Sequence, residues 1–206
     1  MADQTLTKPL SDRFTQALTF ACELHRVQAR KGTEIPYVSH LLGVTSLALE
    51  FGATEDEAIA AVLHDAVEDQ GGPATAQRIR AQFGDAVVDI VLACTDADTV
   101  PKPTWRERKE KYVAHIRVAS PSARLVSACD KLHNARAILS DYRELGEGLW
   151  GRFTGGRDGT LWYYRSLVDA FAASGRTRVV DELQRVVVEL EALASGAGPR
   201  APELPS

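Results

Sequence analysis

The chain is organised around the stretch AAVLHDAVED, residues 60–69, in which an apolar run carries two charged pairs. The first pair is His64-Asp65, and the second, one helical turn later, is Glu68-Asp69. Residues four apart in sequence share one face of an α-helix. The spacing therefore predicts a continuous helix on which His64 lies beside Glu68 and Asp65 lies beside Asp69.

Both ends of this helix are marked in the sequence. Thr54 and Glu57 predict a capping box at its start, and the Gly-Gly-Pro run at 71–73 predicts its end. An imidazole and three carboxylates so close together are not typical of a core, because buried charge is costly unless it is paired or bound to a metal. Taken alone, the stretch fits a solvated acidic helix end as well as a functional site.

The composition is that of a soluble globular protein, with 206 residues, 45% hydrophobic and 25% charged. We expect one domain over residues 1–195 and a flexible C-terminal tail over residues 196–206, which are rich in Pro, Gly and Ala. The net charge of −4 argues against a nucleic-acid partner. No signal peptide or membrane-length apolar run is visible, so we expect a cytoplasmic protein without a membrane partner.

Helical periodicity dominates the chain, and no segment alternates as a β-strand does. The sequence therefore predicts a compact, all-α, multi-helix fold. Ser39 is the predicted N-cap of a helix that ends near Phe51, and Ser120 is the predicted N-cap of a long helix that ends near Leu145. The glycine-rich segment 146–159 predicts a mobile or ligand-contacting loop. Further helices are predicted at residues 11–28, 74–83, 85–94, 105–119, 160–173 and 177–193.

Two further polar residues could bind a metal together with His64 and Asp65. His40 stands 24 residues before His64, and Asp130 follows an apolar run in the long helix, four residues before Asn134. A charged Asp after such a run needs a partner. Two imidazoles and two carboxylates form a mixed nitrogen and oxygen donor set, which suits manganese, iron or zinc better than calcium.

The order His…His-Asp…Asp resembles the signature of HD-domain phosphohydrolases, and the flanking residues resemble the RelA/SpoT-homologue hydrolases among them. The motifs that carry this resemblance are His25-x-x-Gln28-x-Arg30-Lys31, Pro36-Tyr37-x-x-His40, Leu63-His64-Asp65-x-Val67-Glu68-Asp69, Phe83-Gly84 and Asp130-Lys131-Leu132-His133-Asn134-x-Arg136. In its compactness the chain is similar to the small alarmone hydrolases. These are all-helical, manganese-dependent enzymes that remove pyrophosphate from the 3′ position of (p)ppGpp.

The resemblance implies a role for each matching residue. The implied metal ligands are His40, His64, Asp65 and Asp130. The implied catalytic residues, which position and deprotonate the attacking water, are Glu68 and Asp69. The implied substrate contacts, to the base and the phosphates of the nucleotide, are Arg30, Lys31 and Asn134. The chemistry agrees with these roles, because a divalent ion activates water, a nearby carboxylate accepts the proton, and Arg can pair with phosphate or stack on a base.

The chain departs from the family pattern near the predicted nucleotide pocket. Val27 stands in place of the usual Gly, Leu41 in place of Pro, and Ala137 in place of a Thr that can touch the nucleotide. The loop over residues 32–35 is one residue longer than its common form. None of these departures involves the implied metal ligands, so the reaction type is more firmly expected than the substrate.

Several alternatives stay open from the sequence. The same chemistry could act on (p)ppApp or on the 2′-phosphate of NADPH, and a catalytically silent HD domain could bind an alarmone as a sensor. The Glu68-Asp69 pair argues against silence, because a pure binding protein needs no water-activating pair. A helical interaction module would leave the metal set unexplained. A homo-oligomer is compatible with the sequence, and the cluster at 162–165 fits either core packing or closure over a substrate.

Overall fold

The computed structural model describes residues 10–95 and 103–196, which form an all-α fold. A 3-10 helix, Gly146–Arg152, joins α8 to α9. The tail beyond residue 196 and most of the predicted loop at 95–103 lie outside the described residues, and the domain boundary at residue 195 stays a prediction. The α-helices are α1 (Asp12–Leu24), α2 (Val38–Glu50), α3 (Glu55–Leu63), α4 (Ala66–Asp69), α5 (Gly72–Phe83), α6 (Asp85–Cys94), α7 (Trp105–Ile116), α8 (Pro121–Leu145), α9 (Gly156–Ala173) and α10 (Arg178–Ala194).

Two helices, α3 and α8, form the centre of the fold. α3 packs against α1, α2, α6 and α8, and α8 also contacts α2, α6 and α10. Residues 58–63 of α3 are buried on every side, as expected for an apolar helix surrounded by others. His64, directly after α3, and Asp130, within α8, are consequently both buried. The described residues contain no β-strand and no helix long and apolar enough to span a bilayer.

The helix predicted through residues 60–69 is interrupted. α3 ends at Leu63, a turn follows at His64 and Asp65, and α4 begins at Ala66. The Nδ1 atom of His64 donates a hydrogen bond to the carbonyl oxygen of Ala61 at 2.9 Å. Such a bond from a side chain to the backbone competes with helical hydrogen bonding. The prediction of one continuous helix was wrong for this reason, and the turn allows two adjacent side chains to reach the same point.

Two of the three predicted N-caps are confirmed. Thr54 and Glu57 form the full capping box, and Ser120 accepts a hydrogen bond from the first turn of α8. Ser39 is not a cap, because the preceding Tyr37 already has helical backbone angles, φ −60° and ψ −29°. The chain thus enters α2 before it reaches Ser39.

The glycine-rich segment 146–159 is more ordered than a mobile loop. It contains the 3-10 helix and the first turn of α9, and both Leu149 and Trp150 are buried in the core. These two apolar side chains anchor the segment to the core, which the glycines, having no side chain, cannot do. The prediction of a loop was therefore wrong for most of the segment, but Arg152 and Phe153 within it line a cavity that could contact a ligand.

Candidate metal centre and nucleotide pocket

The four residues predicted as metal ligands come together in the centre of the fold. Ligand atoms of His40, His64 and Asp65 all lie within 4.8 Å of one another. The Oδ1 atom of Asp130 lies 3.2 Å from Nε2 of His40 and 3.7 Å from Nε2 of His64. Residues from α2, the turn after α3, and α8 thus converge on one point, which we call the His/Asp cluster.

The ring of His64 is oriented for metal binding. A carbonyl oxygen can only accept, so the contact with Ala61 requires that Nδ1 carries a proton. The opposite nitrogen, Nε2, faces Asp65 at 2.9 Å but is buried without a hydrogen bond of acceptable geometry. A backbone acceptor on one imidazole nitrogen is the usual way to present the other nitrogen to a metal. The donor set and this orphaned nitrogen fit a divalent cation.

His133 supports the second imidazole. Its Nδ1 atom lies 2.9 Å from Nδ1 of His40, so one of the two rings donates to the other. When Nε2 of His40 faces a metal, its Nδ1 carries the proton and His133 accepts. His133 sits directly over Gly43, where an added Cβ would lie 2.2 Å from its Nε2 atom. The close approach of the His133 ring to α2 therefore depends on the absence of a side chain at Gly43.

Each carboxylate of the cluster is held by a second partner. The hydroxyl of Tyr37 donates to Oδ2 of Asp65. Lys131 donates to Oδ2 of Asp130 at 2.6 Å, and Asn134 donates to its Oδ1 at 2.6 Å. Side-chain rotation is thereby restricted at both carboxylates, which lowers the entropy lost when a cation binds.

The charged residues of the cluster strongly shift one another's pKa values. Burial alone would lower the pKa of His64, but Asp65 and Asp130 outweigh burial and hold that pKa well above its usual value. Burial would raise the pKa of Asp130, but Lys131 and the two imidazoles hold it well below its usual value. Without a metal, the ionised carboxylates favour a proton on His64. The cluster is thus built to hold a positive charge, which a divalent cation supplies in place of that proton.

The acidic pair lies one turn beyond the cluster on α4. Glu68 is partly buried and Asp69 is exposed. Asp69 accepts a hydrogen bond from Nε2 of Gln28 at 2.7 Å. Gln28 is itself oriented by two donors to its carbonyl oxygen, Nδ1 of His25 at 2.7 Å and Nε2 of Gln70 at 2.5 Å. The segment after α1 therefore fixes the direction of the Asp69 carboxylate.

A cavity of about 520 Å³ opens beside the cluster. Tyr37 and Asn134 line it and also contact the carboxylates of the cluster, so the two features are continuous. Its remaining walls come from the loop before α2, from α8, from the segment after α8 and from α9. Those walls include Arg30, Lys31, Thr33, Ile35, Ala137, Ile138, Asp141, Glu144, Leu145, Arg152, Phe153 and Tyr164.

The three predicted substrate contacts all line this cavity, but one has a structural partner as well. Arg30 donates from Nη2 to Oδ1 of Asn134 at 2.9 Å, and Asn134 in turn donates to Asp130. Asn134 therefore links the cavity wall to the cluster. The other terminal nitrogen of Arg30, Nη1, is buried without a hydrogen-bond partner, and the exposed Lys31 is beside it in sequence. Both cations are positioned to meet an anionic ligand.

Sequence reasoning did not assign roles to Gln28, Tyr37 and Lys131, although all three fall within the quoted motifs. Only their presence in these motifs could have indicated a role, since no rule of helix or strand spacing connects them to the cluster. Within the aromatic segment 162–165, Tyr164 lines the cavity, whereas Arg165 pairs with Glu191 on α10.

Comparison with known proteins agrees with this geometry. A family model described as an HD domain matches residues 17–161. The chain is 41% identical over 126 residues to the guanosine-3′,5′-bis(diphosphate) 3′-pyrophosphohydrolase MESH1 of Xenopus tropicalis, which covers 60% of this chain and 68% of that protein. It is 31% identical over 134 residues to the bifunctional (p)ppGpp synthase/hydrolase SpoT of Escherichia coli, covering 62% of this chain and 18% of SpoT.

A solved structure gives the same result over more of the chain. It is a metazoan orthologue of SpoT, described as hydrolysing ppGpp, and it superposes with a TM-score of 0.74 at 28% identity. The match covers 91% of this chain and 99% of the other. The family model, the sequence relatives and the shared fold agree with the His/Asp cluster: the chain belongs to the HD-domain family and, within it, to the RelA/SpoT-homologue hydrolases.

Proposed function

We propose that the protein is a metal-dependent hydrolase that removes the 3′-pyrophosphate of (p)ppGpp and yields GDP or GTP. The observation that carries this proposal is the continuity of the His/Asp cluster with a cavity that presents Arg30 and Lys31. A metal centre at one end of a cationic nucleotide-sized cavity supports hydrolysis of a phosphate group. The activity named for MESH1 and SpoT supports the 3′-pyrophosphate as the group removed.

We propose His40, His64, Asp65 and Asp130 as the ligands of one divalent metal, with Mn²⁺ as the ion. The mixed imidazole and carboxylate donors and the absence of a cysteine from the cluster favour Mn²⁺ over a thiolate-bound Zn²⁺. When bound, the metal supplies Lewis-acid stabilisation of the phosphoryl oxygens and lowers the pKa of a water molecule.

The acidic pair serves the proton transfer. Glu68 is one turn beyond the cluster and accepts the proton of the attacking water as that water adds to phosphorus. Asp69, fixed by Gln28, orients the same water. The bond between phosphorus and the 3′ oxygen breaks, and the 3′ oxygen takes the proton held by Glu68 to become the ribose hydroxyl. The phosphorus that gained the water oxygen departs as part of pyrophosphate.

The cavity residues hold the rest of the substrate. Arg30 and Lys31 line the cavity and offset the charge of the phosphate groups. Asn134 keeps Arg30 and Asp130 at a fixed separation, so it couples substrate position to the metal centre. The partner is therefore a small-molecule nucleotide.

A nucleotide panel tests the proposed function. The Mn²⁺-loaded protein is incubated with ppGpp, ppApp and NADPH at equal concentrations, and the products are separated by anion-exchange chromatography. We expect ppGpp to be converted fastest, with GDP as the nucleotide product. Faster loss of the 2′-phosphate of NADPH would contradict the substrate assignment, and stable binding of ppGpp without turnover would indicate a sensor.

A further inference from the structure

The cavity contains two carboxylates that a polyphosphate substrate does not explain. Asp141 and Glu144 line its wall on α8, in a cavity that also presents Arg30 and Lys31. With two carboxylates and one arginine, Arg152, this part of the wall carries a net negative charge and disfavours phosphate groups. These residues therefore face a part of the substrate that donates hydrogen bonds.

The wall of α8 sets the order of features along the cavity. Asp130 and Asp141 are 11 residues apart, which on a helix is about three turns and places them on nearly the same face. Asn134 and Ala137 lie between them on this face and line the cavity. A nucleotide with its 3′-phosphate at the His/Asp cluster therefore extends its base along α8 in the direction of Asp141.

Asp141 is held in place and remains accessible. Its Oδ2 atom lies 3.2 Å from Nη1 of Arg152, which comes from the 3-10 helix and lines the same cavity. The side chain of Asp141 keeps 44% of its surface exposed. A carboxylate can accept about four hydrogen bonds, so the ion pair with Arg152 leaves room for at least two more. Glu144 is about one turn further along and is more exposed than Asp141, which makes it the weaker candidate.

We infer that Asp141 reads the Watson–Crick edge of the base and selects guanine over adenine. Guanine presents two adjacent donors, N1–H and N2–H₂, which match the two oxygens of one carboxylate. Adenine presents a donor at N6 and a lone pair at N1, and that lone pair would face a carboxylate oxygen. This inference rests on the proposed function, because it takes the 3′-pyrophosphate to lie at the His/Asp cluster.

Asp141→Asn tests the inference with kcat/KM for ppGpp and ppApp measured side by side on the Mn²⁺-loaded protein. An asparagine amide can accept from N6–H₂ and donate to N1 of adenine, just as Asn in DNA complexes accepts from N6–H₂ and donates to the neighbouring N7. We expect the preference of the wild type for ppGpp over ppApp to fall about tenfold or more, since hydrogen bonds to charged groups contribute at this level. The activity on ppApp should rise in absolute terms.

Asp85→Asn is the matched control, because it makes the same substitution at a carboxylate that also pairs with an arginine, Arg80, but does not line the cavity. We expect it to leave the ratio of the two kcat/KM values unchanged. Equal losses on both substrates in Asp141→Asn, as a contact with the ribose would give, would overturn the inference, as would an equal change of ratio in the control. If the wild type hydrolyses neither nucleotide, the proposed function itself fails, and this result is distinct from an unchanged ratio.

Discussion

The His/Asp cluster and the far end of the adjoining cavity are held in place in different ways. At the His/Asp cluster, His40, His64 and Asp130 are buried, and each is fixed by a neighbour within hydrogen-bonding distance. At the far end, Asp141 and Arg152 are partly exposed and are joined by one ion pair. Buried, preorganised groups make large contributions, whereas exposed ion pairs contribute little. The comparison supports our proposals that the cluster carries out the reaction and that the open end selects the substrate.

The largest effect is expected from removal of a ligand. Asp65→Ala should abolish both stoichiometric Mn²⁺ binding and hydrolysis, because Asp65 offers an oxygen within 2.9 Å of His64. A ligand that binds only the folded state stabilises it, by about 2.7 kcal/mol at 100 times its dissociation constant. Chelation should therefore lower the Tm of the wild type and leave that of the variant unchanged. Metal content is measured by elemental analysis.

Asp89→Ala is the control for this experiment, since Asp89 is an exposed carboxylate on α6. It should retain full metal content. Equal metal content in Asp65→Ala and the wild type would contradict the assignment of the cluster as the metal site.

The acidic pair should affect the chemical step without affecting metal retention. Glu68→Gln should keep the metal and lower kcat by about 10²–10⁴, the range for loss of a general base. The control is Glu110→Gln, which changes an exposed glutamate on α7 that pairs with Arg106. Single-turnover kinetics with elemental analysis separates the two effects. If kcat were unchanged in Glu68→Gln, another group would have to accept the proton.

Removal of the hydrogen-bond partner of a metal ligand should have an intermediate effect on metal affinity. His133→Phe removes the group that meets Nδ1 of His40, and losses of this kind lower metal affinity by about 10–100-fold. His133→Gln supplies an acceptor oxygen and should restore most of the affinity. Competition with a metallochromic chelator measures the dissociation constant. Equal Mn²⁺ affinity in His133→Phe and the wild type would show that His40 does not need this partner.

The smallest effect is expected from the loss of a cationic side chain in the cavity, which should change KM more than kcat. Arg30→Ala should raise KM for ppGpp about tenfold, the size of one charge-assisted hydrogen bond, and change kcat less. Arg26→Ala is the control, because Arg26 is exposed in the same segment and does not line the cavity. Steady-state kinetics gives both constants. A fall in kcat with constant KM would instead assign Arg30 to the reacting phosphate.

The two ends also differ in how far the sequence could predict them, because the residues of the cluster stand in recognisable motifs and Asp141 does not. The all-α fold, the capping box at Thr54 and the shared face of Asp130 and Asn134 follow from local spacing, which the sequence contains directly. The resemblance of the motifs then identified the residues that form the cluster. All of these features depend on short-range rules or on residues that stand in a recognisable order.

Features that depend on a side-chain hydrogen bond to the backbone, or on packing between helices, could not be predicted. The turn at His64 arises because its Nδ1 atom bonds to the backbone, and the periodicity of the segment gives no sign of this. The contact between His133 and Gly43 requires the approach of α8 to α2. Asp141 belongs to no quoted motif, and only the folded structure shows that it lines the cavity.

The central claim is that the His/Asp cluster directs water to the 3′-pyrophosphate of ppGpp. Its most direct test is a single turnover of the Mn²⁺-loaded protein with ppGpp in ¹⁸O-labelled water, with the products identified by mass spectrometry. We predict GDP without label and pyrophosphate carrying one ¹⁸O atom, with no turnover in Asp65→Ala. Release of inorganic phosphate from the 5′ side, label in the nucleotide, or equal turnover in Asp65→Ala would contradict the claim.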